Sequence, residues 1–256
     1  MLAASLGVLP ADRAGRALDF VRDRLWTIRG PRAGLGALPA LIGPFLTAEE
    51  ADARFAAGRD REAFDLLWRV WGYMNVQDKL LAGVAEPAST STWEHINLDG
   101  SPYRAEDSSL AHAWSAGATR VLSERVLGIR PESAGYRSFR VEPHLGALAW
   151  AEGRVPTPRG PIAVNWTRTP QAFSLVLDVP PDSSATVAIP IPTPGPTVRV
   201  SDHGVLVWDG QAYVPASGVS GAVARGDRVD LLGVAPGRHE FGYRRIPPKP
   251  TGKDRK

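Results

Sequence analysis

Apolar residues in the first half of the chain recur at helical spacing. In "ADRAGRALDFVRDRLW", Ala14, Leu18, Val21 and Leu25 follow one another at four, three and four residues and so share a face. Thr47 and Glu50 in "TAEE" have the spacing of a capping box, which predicts a helix start at that point. Asp60 is placed to cap the next helix, whose stripe Phe64, Leu67, Trp68 and Trp71 has the i, i+3, i+4, i+7 pattern of a buried face. In "SSLAHAWSAGATRVLSERVLG", Ser108 or Ser109 can cap, and Trp114, Ala118, Val121 and Leu122 form the stripe. Gly128 and Pro131 end that helix.

After Gly128 the pattern changes to period two. Ile162, Val164 and Trp166 alternate in "GPIAVNWTR", and Phe173, Leu175, Leu177 and Val179 alternate in "AFSLVLDV". Further short runs, "ATVAIPI", "TVRVS", "GVLVWDG", "RVDLLGV" and "RHEFGYR", follow at close intervals with no helical pattern between them. This is the language of an antiparallel sandwich or barrel. "IPIPTPGP" is excluded from a central strand because proline removes ladder donors, so an edge or loop is expected. The pattern divides the chain into a helical part, 1–128, a β-rich part, 129–245, and a basic Pro-rich tail, 246–256, expected to be disordered.

Composition adds mainly exclusions. The 256 residues are 43% hydrophobic and 22% charged, enough for a substantial core. No run approaches the roughly 18 apolar residues of a membrane span, and "MLAASLGVLP" lacks the basic start and cleavage site of a secretory leader. With no cysteine, thiolate metal sites and disulfides are excluded, while the compartment stays open. The net charge of +3 is spread among mixed charges, so nucleic acid is not an expected partner.

Walker, HExxH and GxSxG motifs are absent, and "GPRAGLG" reads as a flexible connection rather than a dinucleotide loop. Neither a cofactor nor a metal site is expected, and structural roles are expected for His144, His203 and His239. Polar and aromatic residues concentrate instead in "STSTWEHINLDGSPYRAEDSSLAHAWSAG", which holds Trp93, Glu94, His95 and His112. A tryptophan beside a glutamate suits a sugar site, where the ring face stacks on C–H groups and the carboxylate handles a proton. The same three residues also suit a helix-end glutamate beside a core tryptophan. The residues alone leave both readings open.

The succession "WGYM", "STSTWEHINLDGSP", "SSLAHAWSAG", "VLGIRPESAGYRSFRVEPHLG" and "GRVPTPRGPIAVNW" resembles the C-terminal part of bacterial α-L-rhamnosidases, glycoside hydrolase family 78. Five blocks in one order are far more specific than any one of them. The resemblance covers roughly residues 1–245 and is strongest from Trp71 to Trp166. It implies the last helices of an (α/α)6 barrel followed by an antiparallel β-sandwich. By resemblance Glu94 is the catalytic general base of an inverting hydrolysis of terminal α-L-rhamnosides, His112 contacts the sugar, and Trp93 forms an aromatic wall of the pocket; Trp71 and Trp114 fit the core equally well.

The family's general acid lies upstream of the block matching "WGYM". The barrel has twelve helices, against about five periodic segments here, and Glu49 and Glu50 read as first-turn helix residues. The expectation is a chain truncated at its N-terminus that lacks the acid and works with the missing part of the barrel. Its partners would be L-rhamnose-containing glycosides. The competing reading is a non-catalytic carbohydrate-binding or structural module derived from such an enzyme. A different (α/α)6 enzyme, such as a debranching enzyme or disaccharide phosphorylase, lacks this order of blocks.

Overall fold

The computed structural model describes residues 2–33, 40–75, 90–104, 108–191 and 198–244. The chain divides into two compact units, Met1–Leu122 and Ser123–Lys256.

The first unit is built on helices. After a short turn, α1 (Leu2–Ser5), α2 (Ala11–Leu25) buries Ala14 and Leu18 and leaves its arginines and aspartates outside. α3 (Pro44–Ala56) buries most of its residues, including Ala48, Ala51 and Phe55. α4 (Asp60–Leu67) runs into a π-helical turn, Trp68–Gly72, and then α5 (Tyr73–Asn75). A 3-10 turn, Ala113–Ala116, leads into α6 (Gly117–Val121) and a second π-helical turn, Leu122–Val126. Among the described residues, four short strands also pair in this unit, in the order β1 (Trp26–Thr27), β2 (Gly30–Ala33), β3 (Leu41–Ile42) and β4 (Ile96–Asn97). Periodicity cannot find strands of two to four residues.

Three helix expectations are corrected. The capping box is not used: α3 begins at Pro44, whose missing N–H costs nothing in the first turn, and the Thr47 hydroxyl donates to Gly43 O at 3.0 Å from inside the helix. The buried stripe after Asp60 is Ala63, Leu66, Leu67, Val70, Trp71 and Met74, one position out of phase with the expected one, and Trp68 is exposed. Asp60 is itself the first helical residue. Residues 108–112 are not helical, and Trp114 and Leu122 are exposed while Ser115, Ala118 and Val121 are buried.

The second unit holds two sheets. One has the order β13 (Gly221–Arg225), β14 (Arg228–Val234), β10 (Ser184–Pro190), β6 (Ser138–Val141), β5 (Ile129–Pro131). The other has the order β12 (Val205–Trp208), β11 (Val200–Asp202), β15 (Gly237–Arg244), β9 (Ala172–Val179), β8 (Ile162–Arg168), β7 (Trp150–Val155). The expected alternation holds: Ile162, Val164 and Trp166 on β8, and Phe173, Leu175, Leu177 and Val179 on β9, are all buried. Pairing is antiparallel except between β6 and β10, which run parallel. That exception escapes the sequence because β6 has only four residues. Ile189 and Pro190, the start of "IPIPTPGP", end the central strand β10. Proline is accommodated there as the strand's last residue. Residues 192–197 and the tail 246–256 lie outside the described residues.

Two side chains tie the start of this unit to its sheets. The Trp166 indole N–H donates to Val126 O at 2.9 Å, giving the largest fully buried side chain a partner. Glu142 accepts from Arg130, Arg140 and Arg228. Burial pushes its carboxyl up, but the three guanidiniums outweigh burial and hold it below the ordinary glutamate value.

Candidate functional site

Segments 91–94 and 109–112 lie side by side in the first unit and exchange hydrogen bonds without forming a regular strand pair. The backbone N–H of His112 donates to Thr92 O at 2.8 Å, and that of Glu94 donates to Ser109 O at 2.9 Å. Two hydroxyls reinforce this: Ser91 Oγ donates to Leu110 O at 2.6 Å and Thr92 Oγ1 to His112 O at 3.1 Å. Serines and threonines favour such local contacts with the backbone. Ser91 and Thr92 thus spend their hydroxyls on fixing the loop.

This staple sets the carboxylate of Glu94, whose side chain is 25% exposed. The Ser109 N–H donates to Glu94 Oε2 at 3.0 Å. His112 Nδ1 stands 3.8 Å from the same oxygen, and His95 Nδ1 stands 3.9 Å from Oε1. Both gaps exceed hydrogen-bond length and suit a bridging water or hydroxyl. One carboxylate oxygen is therefore anchored, and the other, among the described residues, has a histidine 3.9 Å away.

The chain on either side is held as firmly. Beyond His95, β4 pairs with β3, and the Tyr103 N–H donates to His95 O at 3.2 Å. The His95 and Tyr103 rings meet edge to face at 6.2 Å. Asp99 closes the following turn by accepting from the backbone N–H and hydroxyl of Ser101, which lower its carboxyl pKa. Gly100 has φ +95, and a Cβ there would stand 2.3 Å from the Tyr73 hydroxyl, so glycine is required. That hydroxyl donates to Gly100 O at 3.0 Å, and burial raises the Tyr73 phenol despite the Arg29 guanidinium stacked on its ring.

The tryptophans divide differently from expectation. Trp93 is only 4% exposed, and its backbone N–H points at Met74 Sδ, 3.4 Å away. Its ring is therefore not an open wall. Trp71 is buried and donates to Ser115 O at 2.6 Å. Trp114 is 69% exposed, with its ring 5.4 Å from Phe45 and 6.1 Å from His112. Sequence reasoning missed Phe45 and the anchoring Ser109. Only the polar crowding around "SSLAH" hints at Ser109, and nothing in the sequence pairs Phe45 with Trp114.

Among the described residues no group of three His, Asp or Glu side chains could hold a metal ion, and no helix is long and apolar enough to cross a membrane. His239 is a buried structural residue, with Nδ1 2.7 Å from Asp202 Oδ2 and Nε2 2.9 Å from Ala235 O. His203 Nε2 lies 3.0 Å from Arg238 O.

Parts of this chain are similar to known proteins. Residues 128–204 match the model of the bacterial alpha-L-rhamnosidase C-terminal domain. The alpha-L-rhamnosidase of Alteromonas sp. (strain LOR) is 30% identical over 152 residues, which cover 55% of this chain and 15% of that protein. That of Streptomyces avermitilis is 29% identical over 126 residues, 48% of this chain and 12% of that protein. The chain thus matches only a small part of these curated relatives' length. Among solved structures, the Streptomyces avermitilis alpha-L-rhamnosidase complexed with L-rhamnose superposes with a TM-score of 0.66 at 22% identity, covering 94% of this chain and 21% of that one. The alpha-L-rhamnosidase of Dictyoglumus thermophilum superposes at 0.63 with 18% identity, covering 95% and 25%. These two likenesses concern the fold alone. Taken together, the matches make this chain similar to the C-terminal part of bacterial α-L-rhamnosidases.

Proposed function

We propose that this chain carries the general-base side of the sugar pocket of an inverting α-L-rhamnosidase. The helical residues, 1–128, belong to its (α/α)6 barrel. Residues 129–245 form its C-terminal β-sandwich. The observation that carries the reading is the Glu94 carboxylate, anchored through Oε2 by the Ser109 N–H and flanked by two histidines, on a chain related to this family.

Glu94 Oε1 takes a proton from water as the water attacks the anomeric carbon. The glycosidic bond breaks on the opposite face, and a carboxylic acid roughly 6.5–9.5 Å away protonates the leaving oxygen. Attack from one face and departure from the other invert the anomeric centre. The Ser109 N–H keeps Oε2 from rotating into the attacking position, which fixes the direction of the Oε1 lone pair. His112, 3.8 Å from Oε2, is placed to reach a sugar hydroxyl beside the carboxylate. Trp93 lies beneath as packing for the loop. The acid is sought in that large part of the relatives' length which the match leaves uncovered.

Saturation-transfer NMR of L-rhamnose with this chain tests the sugar assignment. Transfer to the ring protons is expected, with a clear loss in His112→Ala. No transfer, or transfer unchanged in that variant, contradicts it. Binding without hydrolysis, even with a complementary barrel part present, would favour the non-catalytic module.

A further inference from the structure

Where β8 ends in the second unit, the loop 145–149 closes around the strand's last side chain. The backbone N–H of Arg168 donates to Ala149 O at 2.8 Å, its Nε to Leu148 O at 2.7 Å and its Nη2 to Gly146 O at 2.5 Å. The Leu148 N–H closes the turn on Leu145 O at 2.9 Å. The guanidinium is therefore fixed in place. Among the described residues its Nη1 has no hydrogen-bond partner, and no Asp or Glu pairs with its charge. Arg168 lines a cleft of about 510 Å³, all of whose lining residues belong to this unit. The stacked rings of Phe173 and Tyr243, 6.3 Å apart, line it with Leu145, Leu148, Pro190 and Ile191. Thr169 lines it too. Its Oγ1 accepts from the Gln171 and Ala172 N–H groups at 3.2 and 3.0 Å, which leaves its own proton to donate.

A cleft of this volume is of ordinary size for a small ligand. Apart from Arg168, Thr169 and the Tyr243 phenol, its lining side chains are apolar, and none is acidic. A sugar ring there would bury hydroxyls against Leu, Pro and Ile without partners, which is costly, whereas a planar apolar ring would not. A fixed cation that no protein carboxylate neutralises calls for an anion, and charge-assisted hydrogen bonds are the strong ones. We infer that this cleft binds a small carboxylic acid built on an apolar ring. Arg168 Nη1 and the Thr169 hydroxyl hold the carboxylate, and the ring packs against Leu148, Pro190 and Tyr243. The inference does not depend on the rhamnoside reading, since every residue it uses lies in the second unit.

Ligand-observed NMR titration of the 256-residue chain with benzoate, with its uncharged counterpart benzamide and with D-glucuronate tests this. Benzoate is expected to bind about fivefold to tenfold tighter than benzamide, because a hydrogen bond to a charged group is worth more than a neutral one. It is also expected to bind tighter than D-glucuronate. Leu148 lines the cleft and is partly exposed, so Leu148→Glu supplies a competing carboxylate at little cost to the fold. Benzoate affinity falls to the benzamide level in Leu148→Glu and in Arg168→Gln. Circular dichroism shows whether Arg168→Gln, which also loses loop contacts, stays folded; if it does not, Leu148→Glu decides. Failure of benzoate to bind, equal affinity for benzoate and benzamide, or benzoate affinity unchanged in Leu148→Glu overturns the site. D-glucuronate bound in preference to benzoate overturns the apolar ring and with it the proposal.

Discussion

Arg54→Leu removes the guanidinium around which the charged groups of the helical unit are arranged. Arg54 is fully buried. It donates to Glu50 Oε1 through Nε at 2.9 Å and Nη2 at 2.5 Å, to Leu18 O at 2.9 Å, and to Glu62, and it stacks over Trp26 at 4.6 Å. Glu50 is only 2% exposed and, among the described residues, would keep a single side-chain donor, the Trp26 indole N–H at 2.7 Å. Glu62 would keep Arg22 at 2.7 Å and partial access to water, so the burden falls on Glu50. Breaking a buried pair by removing one partner costs about 3–5 kcal/mol, because the other charge is left uncompensated. Arg54→Leu/Glu50→Gln retains an oxygen for Trp26 and removes the stranded charge. It should recover at least about 2 kcal/mol of the loss. The assay is amide hydrogen exchange across α3, since two units need not unfold together. A loss of about 4 kcal/mol lowers protection about 10³-fold where exchange follows opening of the helix. Protection reduced less than about tenfold in Arg54→Leu, or no recovery in the double variant, would refute the account. The stake extends to the site, because α3 carries Phe45 in its first turn.

Two further predictions concern the second unit. The folded pKa of Glu142 lies below its unfolded value, so its contribution to stability is complete above the unfolded pKa and is lost as pH falls through the folded one. Urea midpoints of the β-rich unit should therefore fall with pH across the acidic range, and Glu142→Gln should lower the neutral midpoint while flattening that dependence; an equal slope in both proteins contradicts the assignment. Gly128 has φ +82, and a Cβ there would lie 2.3–2.5 Å from the backbone of Glu142. Gly128→Ala should cost more than the roughly 1–3 kcal/mol of a left-handed non-glycine residue, read as a lower urea midpoint, whereas an unchanged midpoint would mean that the backbone can move aside.

Regular alternation carried most of the β-rich unit. Buried residues on β8 and β9 alternate with half-buried or exposed ones as the sequence pattern predicts, because one face of each strand is core and the other is not. The helices were legible in position but not in phase. Between Ala63 and Met74 so many positions are apolar that two neighbouring stripes fit, and only packing selects the one that leaves Trp68 outside. The start of α3 was misread because Thr47 and Glu50 match a cap by spacing, while Gly43 and Pro44 supply the actual terminus. The candidate site divides in the same way. Glu94 and His112 stood out as rare residue types crowded in one polar stretch, and the structure brings them to 3.8 Å. The Ser109 anchor and the Phe45–Trp114 contact arise from irregular loop pairing and from residues far apart in sequence, for which no periodicity exists.

The role proposed for Glu94 is tested most directly by hydrolysis. Wild-type chain and Glu94→Gln, each combined with the complementary part of the barrel, are compared on 4-nitrophenyl α-L-rhamnoside, with the first-formed anomer followed by proton NMR. The proposal predicts an inverted product and a fall in kcat of about 10²–10⁴-fold with little change in KM. A retained anomer, or a Glu94→Gln variant that keeps its rate, would contradict it.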